Sequence, residues 1–551
     1  MLNQLFRKKP VQQALENDPE NSELHALHKV LTTRDLTFFG IAAIIGAGSF
    51  SSMGEACFKG GPGVVFLFII CAVACGFTAL CYAEFASRVP ASGSAYTYAY
   101  VSFGELFAWI IGWALLMEYS IGNIYVAFSW SGYFTNLLEG LGLHLPEWLT
   151  TNYRSAHKLY DQNISSEGML AWMTAPRIGG LRIIFDLPAL VANILITALV
   201  YVGVKESRNA SNFMVMLKLA VIVLVIGVGA FYVDIDNWTP FMPNGFSGVM
   251  GGVAAVFFAF IGFDAVSTLA EESKDPQRDL PKGMIYSLII CTIVYIALAL
   301  VLTGMVTYAQ LGVSDPLAEV FKIREVKWML YIVSLVAVVA MTSVLLVFQM
   351  GQPRIWMSMS RDGLMPPRFA NIHPKYKTPG FATIVTGLVV GIPLFFTDEK
   401  FVLDFTSIGT LFAFVLVCGG VLMLPPKEKA AGKFHLPYVN SKFIFPAMVV
   451  VATAFLLAFN SNFVSNTFII NSETAATNVP MLIFFIVCIV LAVFSFLRNF
   501  SLIPVLGVVS CCYLLTGMAL SNWIWFSVWL VIGVVIYFLY GFRKSKLATT
   551  Y

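Results

Sequence analysis

Charge is scarce in this chain: Asp, Glu, Lys and Arg together make up 12% of its 551 residues, against about a quarter in an ordinary soluble domain. So little charge cannot clothe a soluble surface of that size, and a net charge of +3 offers no basic face, so no nucleic-acid partner is expected. Histidine is rare too, with six scattered copies, and the nine cysteines show neither a zinc-ligand spacing nor a redox C-x-x-C. No metal and no cofactor are expected. No nucleophile–base set can be picked out, so an enzyme reading has no support. Residues 1–35 are polar and lack a hydrophobic stretch ahead of a small-residue cleavage site; no cleavable signal peptide is expected, and the first span would target the chain.

What is present is apolar. Hydrophobic residues reach 58% and the mean hydropathy is +0.79, more than a soluble core of this length requires. Stretches of about 20 apolar residues fall at 36–57, 63–87, 104–135, 186–204, 210–233, 248–270, 284–308, 328–358, 379–397, 401–424, 443–460, 479–497, 502–520 and 522–541. The expected fold is an all-α polytopic membrane protein of about 14 transmembrane helices. Placing both termini in the cytoplasm puts Arg88, Lys205, Arg208, Lys274, Arg278, Lys282, Arg361 and most of the other Lys and Arg on that side, which sets the orientation in a cell membrane. Most cysteines, Cys71, Cys75, Cys81, Cys488 and the Cys511–Cys512 pair among them, read as small buried hydrophobes. The long 139–185 connection and the 309–327 loop are expected to fold locally, and Asn163-Ile164-Ser165 is a glycosylation-type triplet.

Two of the spans are interrupted by glycine: IIGAGS at Ile44 to Ser49 and FIGFDA at Phe260 to Ala265. A broken membrane helix frees backbone N–H and C=O groups that hydrocarbon cannot satisfy, so such breaks belong where the backbone faces a ligand, water or protein. Breaks at matching places in two halves point to a transporter with a midplane substrate site. Helices one to five (36–233) and six to ten (248–424) each open on a broken span, and an odd number per half makes the repeats inverted. The four helices at 443–541 lie outside them, as a scaffold or a surface for a small accessory subunit or a second copy; residues 1–35 and 542–551 are the tails.

The stretches LHKVLTTRDLTFFGIAAIIGAGSF (Leu27 to Phe50), YAEFASRVPASGSAYTYAY (Tyr82 to Tyr100), FFAFIGFDAVSTLAEESKDPQRDLPKG (Phe257 to Gly283), SRDGLMP (Ser360 to Pro366) and WIWFSVWLVIGVVIYFLYG (Trp523 to Gly541) resemble the amino acid–polyamine–organocation permeases, most closely the cationic amino acid transporter branch. The resemblance implies a five-plus-five inverted-repeat transporter that carries amino acids by alternating access. One departure stands out: after IIGAG the chain reads Ser49-Phe50-Ser51-Ser52, where relatives place apolar residues.

The first break, Ile45, Gly46, Ala47 and Gly48, would offer amide N–H groups at the positive end of a half-helix to a substrate carboxylate, with Ser49 adding a hydroxyl. By the resemblance, carbonyls around Phe258, Ala259 and Ile261 would accept from the α-ammonium, and the Phe258 ring would close over the substrate. Lys218, deep in the fifth span, needs a partner or a task, because an unpaired cation there costs about 3 kcal/mol on insertion scales. It matches the lysine that proton-coupled relatives place between the first, fifth and eighth helices, which would make it a proton carrier. The alternative is that Lys218 only holds those helices together, in a protein that exchanges amino acids without net coupling. Glu118 either shares a proton network with Lys218 or faces the substrate side chain, and Asn123 would add a polar contact. Asp264 suits a cap at the second break. Met341, Thr342 and Ser343 would line the distal pocket and the cation site. Arg354 and Arg361 would form a gate with Glu84, Glu271 or Asp362. The leading expectation is proton symport of small neutral or cationic L-amino acids; exchange and amino acid sensing are the alternatives.

Overall fold

The computed structural model describes residues 5–10, 29–46, 48–89, 93–161, 167–313, 315–424, 434–459, 467–468, 470, 475–518 and 520–547. Ala47, the 163–165 triplet, most of the N-terminal tail and residues 548–551 lie outside the described residues. Each expected span has a helical counterpart. In chain order these are α1a (Thr33–Ile44) and α1b (Met53–Gly60), α2 (Val64–Arg88), α3 (Glu105–Gly140), α4 (Leu187–Val202), α5 (Val204–Ala230), α6a (Val253–Phe260) and α6b (Phe263–Glu272), α7 (Pro276–Met305), α8 (Lys327–Arg361), α9 (Gly380–Gly391), α10 (Glu399–Met423), α11 (Ile444–Phe459), α12 (Ala475–Arg498), α13 (Leu502–Thr516) and α14 (Leu520–Ile536). Nine helical stretches among the described residues are long and apolar enough to cross a membrane, and four shorter apolar helices supplement them.

Local chemistry sets the ends. The Thr32 amide and hydroxyl both donate to Asp35 Oδ2, at 3.0 and 2.7 Å, so α1a starts in its charged turn and not at the first apolar residue. Asp186 accepts from the Ala189 amide at 3.0 Å, with Pro188 in the first turn, to start α4; Asp398 accepts from the Phe401 amide at 2.9 Å to start α10.

The packing has an internal two-fold logic. Helix α1 packs on α6, α2 on α7 and α3 on α8, each against its counterpart five helices on. Neighbours pair off the same way: α1–α7 with α6–α2, α1–α5 with α6–α10, α3–α10 with α8–α5, and α4–α8 with α9–α3. Shifting every helix number by five maps this set onto itself, as two inverted five-helix repeats require.

Outside the repeats, the last four helices divide. Helix α13 packs on α2 and α10, and α14 on α3 and α10, whereas α12 leans on α13 and α11 on α12. Trp113 Nε1 donates to the Trp529 carbonyl at 2.9 Å and Trp529 Nε1 returns the bond to Trp113 at 3.0 Å, their rings stacked with centroids 4.6 Å apart. Trp109 adds a bond of 2.8 Å to the Gly533 carbonyl, so α14 is joined firmly to α3. The exposed apolar residues on the helix exteriors, such as Leu195, Val223, Ile293 and Ile486, form the lipid face.

Both chain ends meet on one face. Lys9 Nζ pairs with Asp362 Oδ1 at 2.6 Å, and the Lys546 amide donates to the Asp362 carbonyl at 3.1 Å. On the opposite face the 139–185 connection folds into a small cap, with helices Tyr153–Asp161 and Glu167–Thr174 and a two-residue antiparallel ladder pairing Arg177 with Arg182. Its own apolar cluster is Ala156, Ala171, Trp172, Ala175 and Ile184.

Candidate functional site

The two breaks cross each other at the centre of the bundle. Helix α1a ends at Ile44, and a π-turn over Gly48–Ser52 leads into α1b; α6a ends at Phe260, and α6b is a ten-residue 3-10 helix. Both departures from α geometry are uncommon and tend to mark functional hinges. Glycine is needed because the backbones nearly touch: a Cβ on Gly48 would lie 2.6 Å from Ala259 Cα, and one on Gly262, whose φ is +111°, would lie 2.7 Å from Ala43 Cβ.

Between them is a narrow cavity lined by Ala43, Ile44, Gly48, Val126, Phe258, Ile261, Val344 and Phe348. Its side-chain walls are wholly apolar. Gly48, Phe258 and Ile261, three of the residues expected to meet substrate, are among its lining residues. The polar expectations fare differently. Asn123 donates to Gln349 Oε1, Gln349 Nε2 to Thr197 Oγ1 at 2.8 Å, and Asn193 Nδ2 to the Gly387 carbonyl at 2.9 Å. Asn123 thus begins a polar thread through α3, α8, α4 and α9 and is not among the cavity's lining residues. Met341 is fully buried one turn before Val344 and two before Phe348, so the α8 wall is those two residues and not Met341. The Phe258 carbonyl accepts from the Ile261 amide at 3.1 Å and the Ala259 carbonyl from Tyr295 Oη at 2.9 Å, so both already serve the second break. The Gly46 carbonyl accepts from Ser49 Oγ at 3.0 Å, which closes the first break locally.

Lys218 is completely buried and bridges the three expected helices. Its Nζ donates to the Ala42 carbonyl at 3.0 Å, to the Ile45 carbonyl, and to Ser343 Oγ at 2.9 Å; Ser343 in turn donates to the Ala340 carbonyl at 2.6 Å. All three ammonium donors are satisfied by α1 and α8, and the first two reach the carbonyl end of a half-helix, where the dipole favours a cation.

Glu118 meets neither Lys218 nor the cavity lining. It is on α3 beside Thr410 of α10 and Asp264 of α6b. Asp264 lies near the backbone amides of Gly262, Asp264 and Ala265, but α6b starts from Gly262 without a capping hydrogen bond from a side chain. Among the described residues, Glu118 Oε2 and Asp264 Oδ2 have no hydrogen-bond partner, nor do the neighbouring hydroxyls of Tyr82 and Tyr119. The helices involved, α6, α10 and α3, are the five-shifted counterparts of α1, α5 and α8. The acid site is therefore the internal symmetry mate of the lysine site.

At the terminal face, Arg354 Nε donates to Glu272 Oε1 at 2.6 Å with both side chains buried, and Arg361 pairs with Glu271 at 2.9 Å, joining α8 to the end of α6b. Asp362 pairs instead with Lys9, and Glu84 with Arg88 four residues on.

A family profile described as "Amino acid permease" matches residues 31–492, and one described as "C-terminus of AA_permease" matches 501–545. The chain belongs to the amino acid permease family. This permease is 38% identical to the branched-chain amino acid permease BcaP of Bacillus subtilis over 99% of this chain and 100% of that protein. It is 36% identical to the methylthioribose transporter of the same organism, over 99% and 100% of the two chains. Cationic amino acid transporter 4 of Homo sapiens is 30% identical, over 95% of this chain and 88% of that one. The superfamily is the one its motifs resemble, and the permease is a multi-pass membrane protein and transporter, not an enzyme.

The sequence missed Val126, Val344 and Phe348. The signal was there in part: Val344 and Phe348 follow Met341 at i+3 and i+7, and Val126 follows Asn123 at i+3, so each continues a helix face already under consideration.

Proposed function

We propose that this permease is a proton-coupled symporter of neutral aliphatic L-amino acids, working by alternating access in a cell membrane with both termini cytoplasmic. The observation that carries the reading is Lys218, an ammonium held by the carbonyl end of α1a and by Ser343, just where loss of its proton would loosen α1 from α5 and α8. Loading and unloading that proton links the cation to movement of the broken helix.

The acid site adds a second proton position. Two carboxyl groups, Glu118 of α3 and Asp264 of α6b, are buried within electrostatic reach of each other, and neither is in a salt bridge among the described residues. A proton held between them relieves like-charge repulsion that the protein interior screens poorly. On substrate class, the cavity walls supply Val126, Val344, Phe348 and Phe258 and no carboxylate, which favours an aliphatic side chain over lysine or arginine. The printed substrate of one relative, branched-chain amino acids, agrees with that choice. Residues 443–541 serve as scaffold on the α13–α14 side and as lipid face, or a seat for an accessory subunit, on the α11–α12 side.

The test is uptake into liposomes of radiolabelled leucine, alanine, arginine and methylthioribose, with and without an inward proton gradient, by wild type and Lys218→Ala. Gradient-driven leucine or alanine accumulation that collapses in the variant is the expected result. Flux only against internal substrate would make the protein an exchanger, and uptake of methylthioribose alone would overturn the amino acid reading.

A further inference from the structure

The serines after the first break make contacts that the transport reading does not use. Ser51 Oγ lies 3.1 Å from Tyr125 Oη, and Ser52 Oγ donates to the carbonyls of Gly48 at 2.9 Å and Ala255 at 3.1 Å. Tyr133 Oη donates to the Phe50 carbonyl at 2.5 Å, and its ring meets Phe50 edge-on. Tyr125 and Tyr133 are eight residues apart, which puts them on one face of α3 about two turns from each other. The Tyr125 ring also meets Phe258 edge-on, with centroids 4.7 Å apart and an interplanar angle of 76°. Ser51, Tyr125, Tyr133 and Phe258 are all buried, at 5%, 2%, 2% and 5% exposure. One residue of α3 therefore touches the π-turn that leads into α1b through its hydroxyl and the cavity's Phe258 through its ring. Helix α3 is itself fixed, tied to α14 by tryptophans and to α8 by the Gln352–Ser120 and Trp130–Thr342 bonds of 2.7 and 2.8 Å.

We propose that Tyr125, Tyr133 and Ser51 form a clasp by which the static helix α3 holds α1b and α6a shut over the cavity on the face opposite the termini, with Ser51 and Tyr125 acting as positioning residues that seat Phe258. The two ends of the path are then closed by different chemistry. The terminal face is locked by ion pairs, Arg354 with Glu272 and Arg361 with Glu271. The opposite face is held by neutral hydroxyl contacts, each small enough that losing one shifts the closed-to-open ratio by about fivefold.

The experiment uses the full chain in liposomes with a Val126→Cys reporter, labelled by a membrane-impermeant maleimide from the face opposite the termini. The native cysteines are buried except for the half-buried Cys512, which a parent protein without the reporter controls. Ser51→Ala, Tyr125→Phe and Tyr133→Phe should each speed labelling about fivefold. In the chain without the reporter, each should lower KM for substrate presented on that face and lower kcat with it, because a face that opens more readily binds better and occludes worse. Ser51→Thr, which keeps the hydroxyl, should restore the wild-type rate. Unchanged or slower labelling in folded Ser51→Ala and Tyr125→Phe proteins would overturn the clasp. Should Ser51→Ala fail to fold, Tyr125→Phe decides, since it loses one oxygen and keeps the ring on Phe258. Labelling needs no transported substrate, so its outcome is independent of whether proton symport holds.

Discussion

The lysine site and the acid site occupy equivalent positions in the two repeats and could hardly differ more in how they are satisfied. At α1–α5–α8, one cation finds three acceptors and every donor is used. At α6–α10–α3, two carboxyl groups, Thr410 and two tyrosines are neighbours, and four of their oxygens have no hydrogen-bond partner among the described residues. The repeat conserves where helices meet, not what they carry there. A satisfied site is a fastener that must be undone, whereas an unsatisfied one is ready to accept something. On the proposed reading, that asymmetry would let one architecture both lock its broken helix and accept a proton.

Removing the lysine is the harshest way to break the comparison. Lys218→Ala removes the ammonium donor from the Ala42 and Ile45 carbonyls in the interior, at a cost of about 1–3 kcal/mol, while Ser343 keeps its bond to Ala340. Gradient-driven accumulation should fall by about a hundredfold, read by liposome uptake, with a lowered melting temperature in detergent. Lys218→Arg, which keeps a charge that cannot be shed, should preserve much of the stability and none of the coupling. If it accumulates substrate normally, the lysine is a fastener only.

On the acid side the expected effects are smaller in stability and selective in function. Glu118→Gln and Asp264→Asn should each reduce proton-driven uptake by about tenfold while leaving exchange of internal for external substrate within about twofold. Each swap preserves shape and removes a titratable proton. Equal loss of exchange and of driven uptake would mean the pair shapes the cavity and does not carry a proton. A smaller effect again is expected at the polar thread: Gln349→Leu should cost about 1 kcal/mol of stability, as hydrogen bonds between membrane helices do. Transport should change by less than about threefold, because the thread joins α3, α8, α4 and α9, apart from both sites.

Much of this was legible in sequence because it depends on residues read along the chain. Hydrophobic runs locate all fourteen helices, and IIGAG and FIGFD locate both breaks. Boundaries slipped where helices extend past their apolar core: α5 starts at Val204 although its apolar run starts near 210, and α1a starts at its Thr32–Asp35 cap. That Lys218 needs a partner could be read from the cost of a cation in hydrocarbon, whereas its place between the first, fifth and eighth helices came from the family resemblance. Glu118 could not be placed, because which neighbour it meets depends on the rotation of α3, and a buried helix hydrophobic all round leaves no stripe from which to read that rotation. The same ambiguity sent Asn123 and Met341 to the cavity, when the walls are set three residues on from each, at Val126 and Val344.

Thr410 gives the mildest and sharpest probe of the symmetry. It stands on α10, the counterpart of the helix that carries Lys218, and beside Glu118; its hydroxyl also bonds the Thr406 carbonyl at 3.3 Å. Thr410→Val keeps the shape and deletes one hydroxyl from the acid site, without touching the lysine site. Driven uptake should fall only about two- to threefold, since the carboxyl pair remains and the lost oxygen was one of several around it. A fall of tenfold or more, matching Glu118→Gln, would mean that the hydroxyl relays the proton. The acid site would then need three helices acting together, as the lysine site does, and the two sites would be equivalent in mechanism as well as in position.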